Sequence, residues 1–157
     1  MIMKIGIIVH SHTGNTYSVA ERLKERLMVT GHSLALERVS AFNDEQAKAG
    51  SIRLKEVPGI SGYDALVFAA PVQGFSLSSV MKAYLTQVPT LKNKKVACFV
   101  TEFFPYPWMG GNRAILQMKS LCESKGAEIC GTGVINWSSS QRNSMIAQLI
   151  ERLSSSF

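Results

Sequence analysis

The stretch Ile5-Gly6-Ile7-Ile8-Val9-His10-Ser11-His12-Thr13-Gly14-Asn15-Thr16 joins a strand signal, a loop and the start of a helix. From Ile5 to Val9 it is apolar throughout, as a buried strand requires. Beyond the loop, Val19, Ala20, Leu23, Leu27 and Met28 recur at helical spacing, so residues 16–29 read as a helix packed on a sheet. The loop between them consists of hydroxyls, one glycine and an amide. The first N–H groups of a helix have no intrahelical partner, and the dipole makes that end positive, so such a loop can hold a phosphate. Ser11, Thr13, Asn15 and Thr16 add side-chain donors beside His12 and Gly14. The loop contains neither Lys nor Arg, so hydrogen bonds alone would hold the anion.

Two commoner nucleotide loops are excluded. A Walker A loop needs Gly-Lys-Ser/Thr at its helix entry, and here Asn15 follows Gly14. A dinucleotide fingerprint needs three spaced glycines, and only Gly14 is present. The plainer alternative is a strand–loop–helix turn in which Thr13 or Asn15 merely caps the helix.

At 157 residues the chain reads as one domain, residues 1–157, with room for a core that needs neither disulfides nor metals. A hydrophobic fraction of 46% and a charged fraction of 18% are those of an ordinary globular protein. The first residues run straight into a strand, with no signal-peptide pattern, and no segment reaches membrane-spanning length, so a cytoplasmic location without a membrane span is expected. Cys98, Cys122 and Cys130 fall on apolar segments and read as small core residues in a reducing compartment. No cysteine–histidine pattern has metal-ligand spacing. His10 and His32 read as structural, while His12 lies within reach of a ligand. The net charge of +6 is moderate and has no basic run or basic–aromatic interleaving, so no nucleic-acid surface is expected.

Strand-like and helix-like runs alternate along the chain. Strands are expected at residues 4–9, 33–39, 65–70, 95–101 and 127–135, the third stopped by Pro71. Helices are expected at residues 16–29, 78–87, 112–125 and 141–153, with a short one near residues 44–49. This order argues for an α/β fold, a doubly wound parallel sheet of five strands with helices on both faces. Ligands of such sheets sit beyond the carboxyl ends of the strands, where strand order reverses. Three loops therefore matter: residues 11–16, residues 71–77 and residues 102–111. The third, Glu102-Phe103-Phe104-Pro105-Tyr106-Pro107-Trp108-Met109-Gly110-Gly111, carries four aromatics suited to a flat ring, although about half of them would simply pack the loop.

Ser11-His12-Thr13-Gly14-Asn15-Thr16 matches the Ser/Thr-x-Thr-Gly-Asn-Thr loop of the flavodoxin family, which binds the phosphate of FMN in a five-stranded parallel sheet. Pro71-Val72-Gln73-Gly74-Phe75, followed by Met81-Lys82-Ala83-Tyr84-Leu85, resembles the family's second region, often Pro-Val-Tyr-x-Gly and then Met-Lys-x-Phe-Leu. The resemblance covers nearly the whole chain. It implies FMN as cofactor, with its phosphate on residues 11–16. The isoalloxazine would lie between Pro71, Val72, Gln73, Gly74 and Phe75 on one side and Thr101, Glu102, Phe103, Tyr106, Trp108, Gly110 and Gly111 on the other. The chain departs from the family at Gln73, where an aromatic is common, and in its basic charge, since electron-carrier flavodoxins are usually acidic. Glu102 is the only acid in the three loops.

The expectation is a flavodoxin-like FMN protein acting in electron transfer, with the flavin supplying the redox chemistry and no catalytic side chain or metal needed. Its partner would be a redox protein or a small-molecule electron acceptor, and the chain a monomer or homodimer. The alternatives are an FMN-dependent NAD(P)H:quinone-type oxidoreductase and a binding module that has kept the fold and lost FMN.

Overall fold

The computed structural model describes residues 2–42 and 52–157. In chain order the first elements are β1 (Lys4–Val9), α1 (Asn15–Val29), β2 (Ser33–Arg38), β3 (Ser40–Ala41), β4 (Leu54–Glu56) and β5 (Ala65–Gln73). There follow β6 (Ser76–Leu77), α2 (Ser79–Gln87), β7 (Lys95–Glu102), α3 (Gly111–Ser124), β8 (Glu128–Asn136) and α4 (Arg142–Ser154). The main sheet is parallel in the order β2-β1-β5-β7-β8. Strand order reverses between β1 and β5, so the crevice for a ligand opens above those two strands and β7.

A residue period of two sorts the apolar strands between two cores. Ile5, Ile7 and Val9 of β1, Ala65, Val67 and Ala69 of β5, and Ala97 and Phe99 of β7 meet α1 and α4 through Val19, Leu23, Leu27, Ile146, Leu149 and Leu153. The residues between them, Ile8, Leu66, Phe68, Ala70, Val96, Cys98 and Val100, meet α2 and α3 through Val80, Met81, Tyr84, Leu85, Ala114, Met118 and Cys122. Both faces of each central strand are covered, which is why these segments show unbroken apolar runs.

The five parallel strands and the four long helices lie where the sequence places them, to within a residue or two at most ends. The third expected strand is the exception. Instead of stopping at Pro71, β5 continues to Gln73 and pairs antiparallel with β6, Val72 opposite Leu77 and Gln73 opposite Ser76. The ladder tolerates this proline for a geometric reason. Ala69 O accepts the His10 N–H at 3.0 Å, so Ala69 and, two residues on, Pro71 turn toward the β1 side. β1 has already ended at Val9, so the N–H that proline lacks is not needed by a neighbouring strand. Residues 40–41 and 54–56 add a short antiparallel pair that the sequence does not signal. The helix expected near residues 44–49 lies outside the described residues.

Cys98 and Cys122 are buried with their sulfurs 4.0 Å apart, and Cys130 is half-buried. That contact and burial together raise the Cys98 thiol well above its ordinary range, so it packs as a neutral group. His10 is structural as well: its Nδ1 lies 2.9 Å from Ser78 Oγ. Ser78 caps α2 by accepting the Met81 N–H, which leaves its own proton for His10. His32 Nδ1 accepts the Met3 N–H at 3.0 Å, tying the turn after α1 to the chain ahead of β1. Among the described residues, no helix is long and apolar enough to cross a membrane.

Candidate functional site

Three segments meet at the carboxyl end of the sheet: the β1–α1 loop, the β5–β6 hairpin and the β7–α3 loop. In the first, Gly14 takes a left-handed φ of 95° and opens α1. Ser11 Oγ accepts the N–H groups of Gly14 (3.2 Å) and Tyr17 (3.3 Å), which draws the loop into a tight cradle. The first turn of α1 has no acidic side chain, so no carboxylate of the helix offsets the positive end of its dipole. His12 and Thr13 are exposed and Asn15 is half-exposed. Thr16 is buried, and its Oγ1 lies 2.7 Å from Thr101 Oγ1 on β7.

The β5–β6 hairpin turns on two residues, Gly74 (φ 58°) and Phe75 (φ 61°). Positive φ at both turn positions matches the right-handed twist of the strands, and it is a strained conformation for phenylalanine. Two contacts hold Phe75 there. Its ring stacks on Phe104 with centroids 5.4 Å apart and planes 5° from parallel. Its backbone also presses on Gly110, the N-cap of α3, where a β-carbon would lie 2.7 Å from the Phe75 Cα. Gly110, with φ 112°, thus locks the β7–α3 loop onto the hairpin.

The β7–α3 loop divides its aromatics. Phe104 packs between Phe75 and the edge of Phe103. Tyr106 and Trp108 stack on each other, centroids 5.8 Å apart and planes 5° from parallel, with Trp108 72% exposed. Loop bonds from Met109 N to Tyr106 O and from Asn112 N to Pro107 O hold this pair in a compact turn.

Glu102 ends β7 opposite Asn136 of β8 and is 3% exposed. Its Oε1 accepts from Asn136 Nδ2 at 2.6 Å, and the Gly111 N–H also bonds the carboxyl. Neither Glu102 Oε2 nor Asn136 Oδ1 has a partner, although both are buried. Burial pushes the Glu102 carboxyl up from its ordinary pKa, and the bonds from Asn136 and Gly111 oppose that shift only in part. Gly111 has no room for a side chain, since a β-carbon would meet Glu102 Oε1 and Val134 at 2.6 Å.

These segments enclose a cleft of about 170 Å³ lined by His12, Thr13, Asn15, Pro71, Val72, Gln73, Thr101, Glu102 and Phe103. Nine residues singled out in the sequence therefore share one cavity. Ser11, Gly14 and Thr16 are not among its lining residues: Ser11 Oγ accepts the Gly14 N–H, Thr16 bonds Thr101 of the lining, and a β-carbon at Gly110 or Gly111 would strike protein. Gly74, Phe75, Tyr106 and Trp108 lie outside its lining, on the hairpin and the aromatic loop. Sequence reasoning misses Asn136, whose one signal is a lone amide closing the apolar run Val134-Ile135.

The donor set fits FMN. Hydroxyls, an amide and the first-turn N–H groups that Ser11 leaves free, those of Asn15 and Thr16, suit a phosphate, while Pro71, Val72 and Phe103 offer apolar walls to a ring.

Solved structures with this architecture include several flavodoxins. The oxidised flavodoxin 2 of Bacillus cereus is 20% identical, with 98% of this chain and 99% of that chain covered and a TM-score of 0.69. The two-electron-reduced Megasphaera elsdenii flavodoxin is 21% identical, covering 96% and 98% with a TM-score of 0.68. A Streptococcus pneumoniae flavodoxin is 17% identical, covering 98% and 99% with a TM-score of 0.67. No protein-family model and no curated protein matches the sequence. The chain has the flavodoxin-like fold along nearly all of its length.

Proposed function

We propose that this chain binds FMN in the cleft between the β1–α1 loop, the β5–β6 hairpin and the β7–α3 loop, and acts in electron transfer. The observation that carries this reading is the N-terminus of α1, whose first turn has no acidic side chain. It opens with exposed hydroxyl and amide donors onto a cleft with apolar walls, at the point where strand order reverses. Thr13 and Asn15, with the first-turn N–H groups, would hold the phosphate. Pro71, Val72 and Phe103 would flank the ring, and Tyr106 and Trp108 would cover its outer edge. Bound FMN would supply reversible uptake of one or two electrons.

The visible absorption spectrum of the purified protein tests the reading. A flavin spectrum, lost on acid precipitation and restored by adding FMN, supports it. A colourless protein that does not quench added FMN fluorescence points instead to a binding module that has lost the cofactor. A reductase reading draws on the exposed Tyr106–Trp108 pair, which offers a substrate wall beside the cleft. Rapid bleaching of the flavin by NADPH without a partner protein would favour that activity.

A further inference from the structure

We propose that Glu102 is a hydrogen-bond donor to the ligand's ring, presenting a protonated Oε2 to an acceptor atom on the ring's edge; this rests on the FMN reading above. Glu102 lines the cleft beside Thr101 and Phe103 yet is 3% exposed, so water satisfies little of its carboxyl. Its two oxygens are used unequally. Oε1 accepts from Asn136 Nδ2 at 2.6 Å, and Oε2 is buried without a partner. An ionised oxygen in that position would forfeit its solvation with nothing in return, whereas a neutral O–H needs only one acceptor. A ring carbonyl or ring nitrogen seated in the cleft is such an acceptor.

The charges on neighbouring elements do not settle the matter the other way. His12 faces the same cleft from the β1–α1 loop. Arg113, in the first turn of α3, lines an outer groove with Lys82 and Leu116. Arg142 of α4 donates to Trp137 O and stacks on the Trp137 ring. The hairpin contributes Gln73 and β8 contributes Asn136, both uncharged. Burial is the main influence on the carboxyl and favours its neutral form. If the ring requires that form, binding above the carboxyl's pKa takes up one proton from solvent, and affinity falls as pH rises.

The test compares the wild-type protein with Glu102→Gln, which keeps an acceptor for Asn136 and Gly111 and an N–H donor at the position of Oε2. FMN affinity is read by flavin fluorescence from about pH 5 to about pH 8, where one-proton linkage gives up to about tenfold per pH unit. In parallel, the Glu102 carboxyl of the FMN-free wild type is titrated by NMR of its side-chain carbon. The expected results are a carboxyl that titrates above the ordinary glutamate range and a wild-type Kd that rises with pH relative to the variant. Phosphate ionisation and His12 are common to both proteins, so the ratio of the two Kd values reports Glu102 alone. A carboxyl with an ordinary pKa, or a ratio flat in pH with FMN still bound, overturns the proposal and leaves the FMN reading standing. Failure of the wild type to bind FMN at every pH overturns both.

Discussion

Asn15 and Thr16 are neighbours with separate duties. Asn15 lines the cleft, whereas the Thr16 hydroxyl is buried against Thr101, 85 residues away in sequence. Asn15→Ala removes a donor to a charged phosphate, worth roughly 1.5–3 kcal/mol, so FMN affinity should weaken about tenfold or more. Its urea midpoint should barely move. Thr16→Ala instead leaves the buried Thr101 hydroxyl without this partner and should cost about 1–3 kcal/mol in urea unfolding, with Thr16→Ser recovering most of it. The role of Trp108 can be read optically, because bound flavin quenches nearby indole emission. If Trp108 covers the ring, Trp108→Phe should remove most of the FMN-dependent loss of tryptophan fluorescence. Unchanged quenching, carried by Trp137, would leave Trp108 as loop packing. Glu102 also bears on stability. Its pKa is raised on folding, so the folded state holds its proton more tightly than the unfolded chain. The contribution is complete below the unfolded pKa and is lost as pH rises through the folded one. Glu102→Gln should therefore gain stability over wild type in urea melts at neutral pH, and the gain should shrink at acid pH. A gain that grew on acidification would contradict the buried, neutral carboxyl.

Hairpin and loop stand or fall together at the level of elements. Gly110→Ala forces a β-carbon to 2.7 Å from the Phe75 backbone at a left-handed φ of 112°. Strained sites cost of order 1–3 kcal/mol, and the hairpin must also move off the loop, so urea unfolding should show destabilisation by about 2 kcal/mol or more. FMN affinity should fall with it, because the cleft's two walls no longer hold each other. The sheet is legible in the sequence because its apolar runs have the length and continuity of strands covered on both faces, and because β1 and α1 flank a loop of distinctive composition. The hairpin is not. Pro71 reads as a stop, and only the early end of β1 shows why the strand can continue through it. Nor does Gly74-Phe75 carry the usual Asn-Gly mark of such a turn. Glu102 stands out in the sequence as the one acid of the loops. Its link to Asn136 depends on the β7–β8 register, which a single sequence does not display. The Thr16–Thr101 pair is hidden for the same reason: each residue looks like a loop hydroxyl until the fold joins them.

Taken whole, the molecule carries a net charge of +6 and a sequence pI of about 9.4, with one buried acid beside the cleft. Electrons added to a bound flavin raise its negative charge, and here few acids oppose that charge at short range. A stepwise dithionite titration of the FMN-loaded protein should therefore add both electrons over a narrow span of potential. A long-lived one-electron stage followed by a very low second potential would contradict this. Association should be faster with acidic partners than with basic ones, and stopped-flow rates should fall as ionic strength rises. All of this depends on one claim, that the α1 cradle holds the phosphate of FMN. The direct measurement is a fluorescence titration of the apo-protein with FMN and, separately, with riboflavin, which has the same ring and no phosphate. The account predicts saturable quenching at one FMN per chain and riboflavin binding weaker by at least about tenfold, the equivalent of one charge-assisted hydrogen bond. Equal affinity for the two, or no saturable binding of FMN, would contradict it.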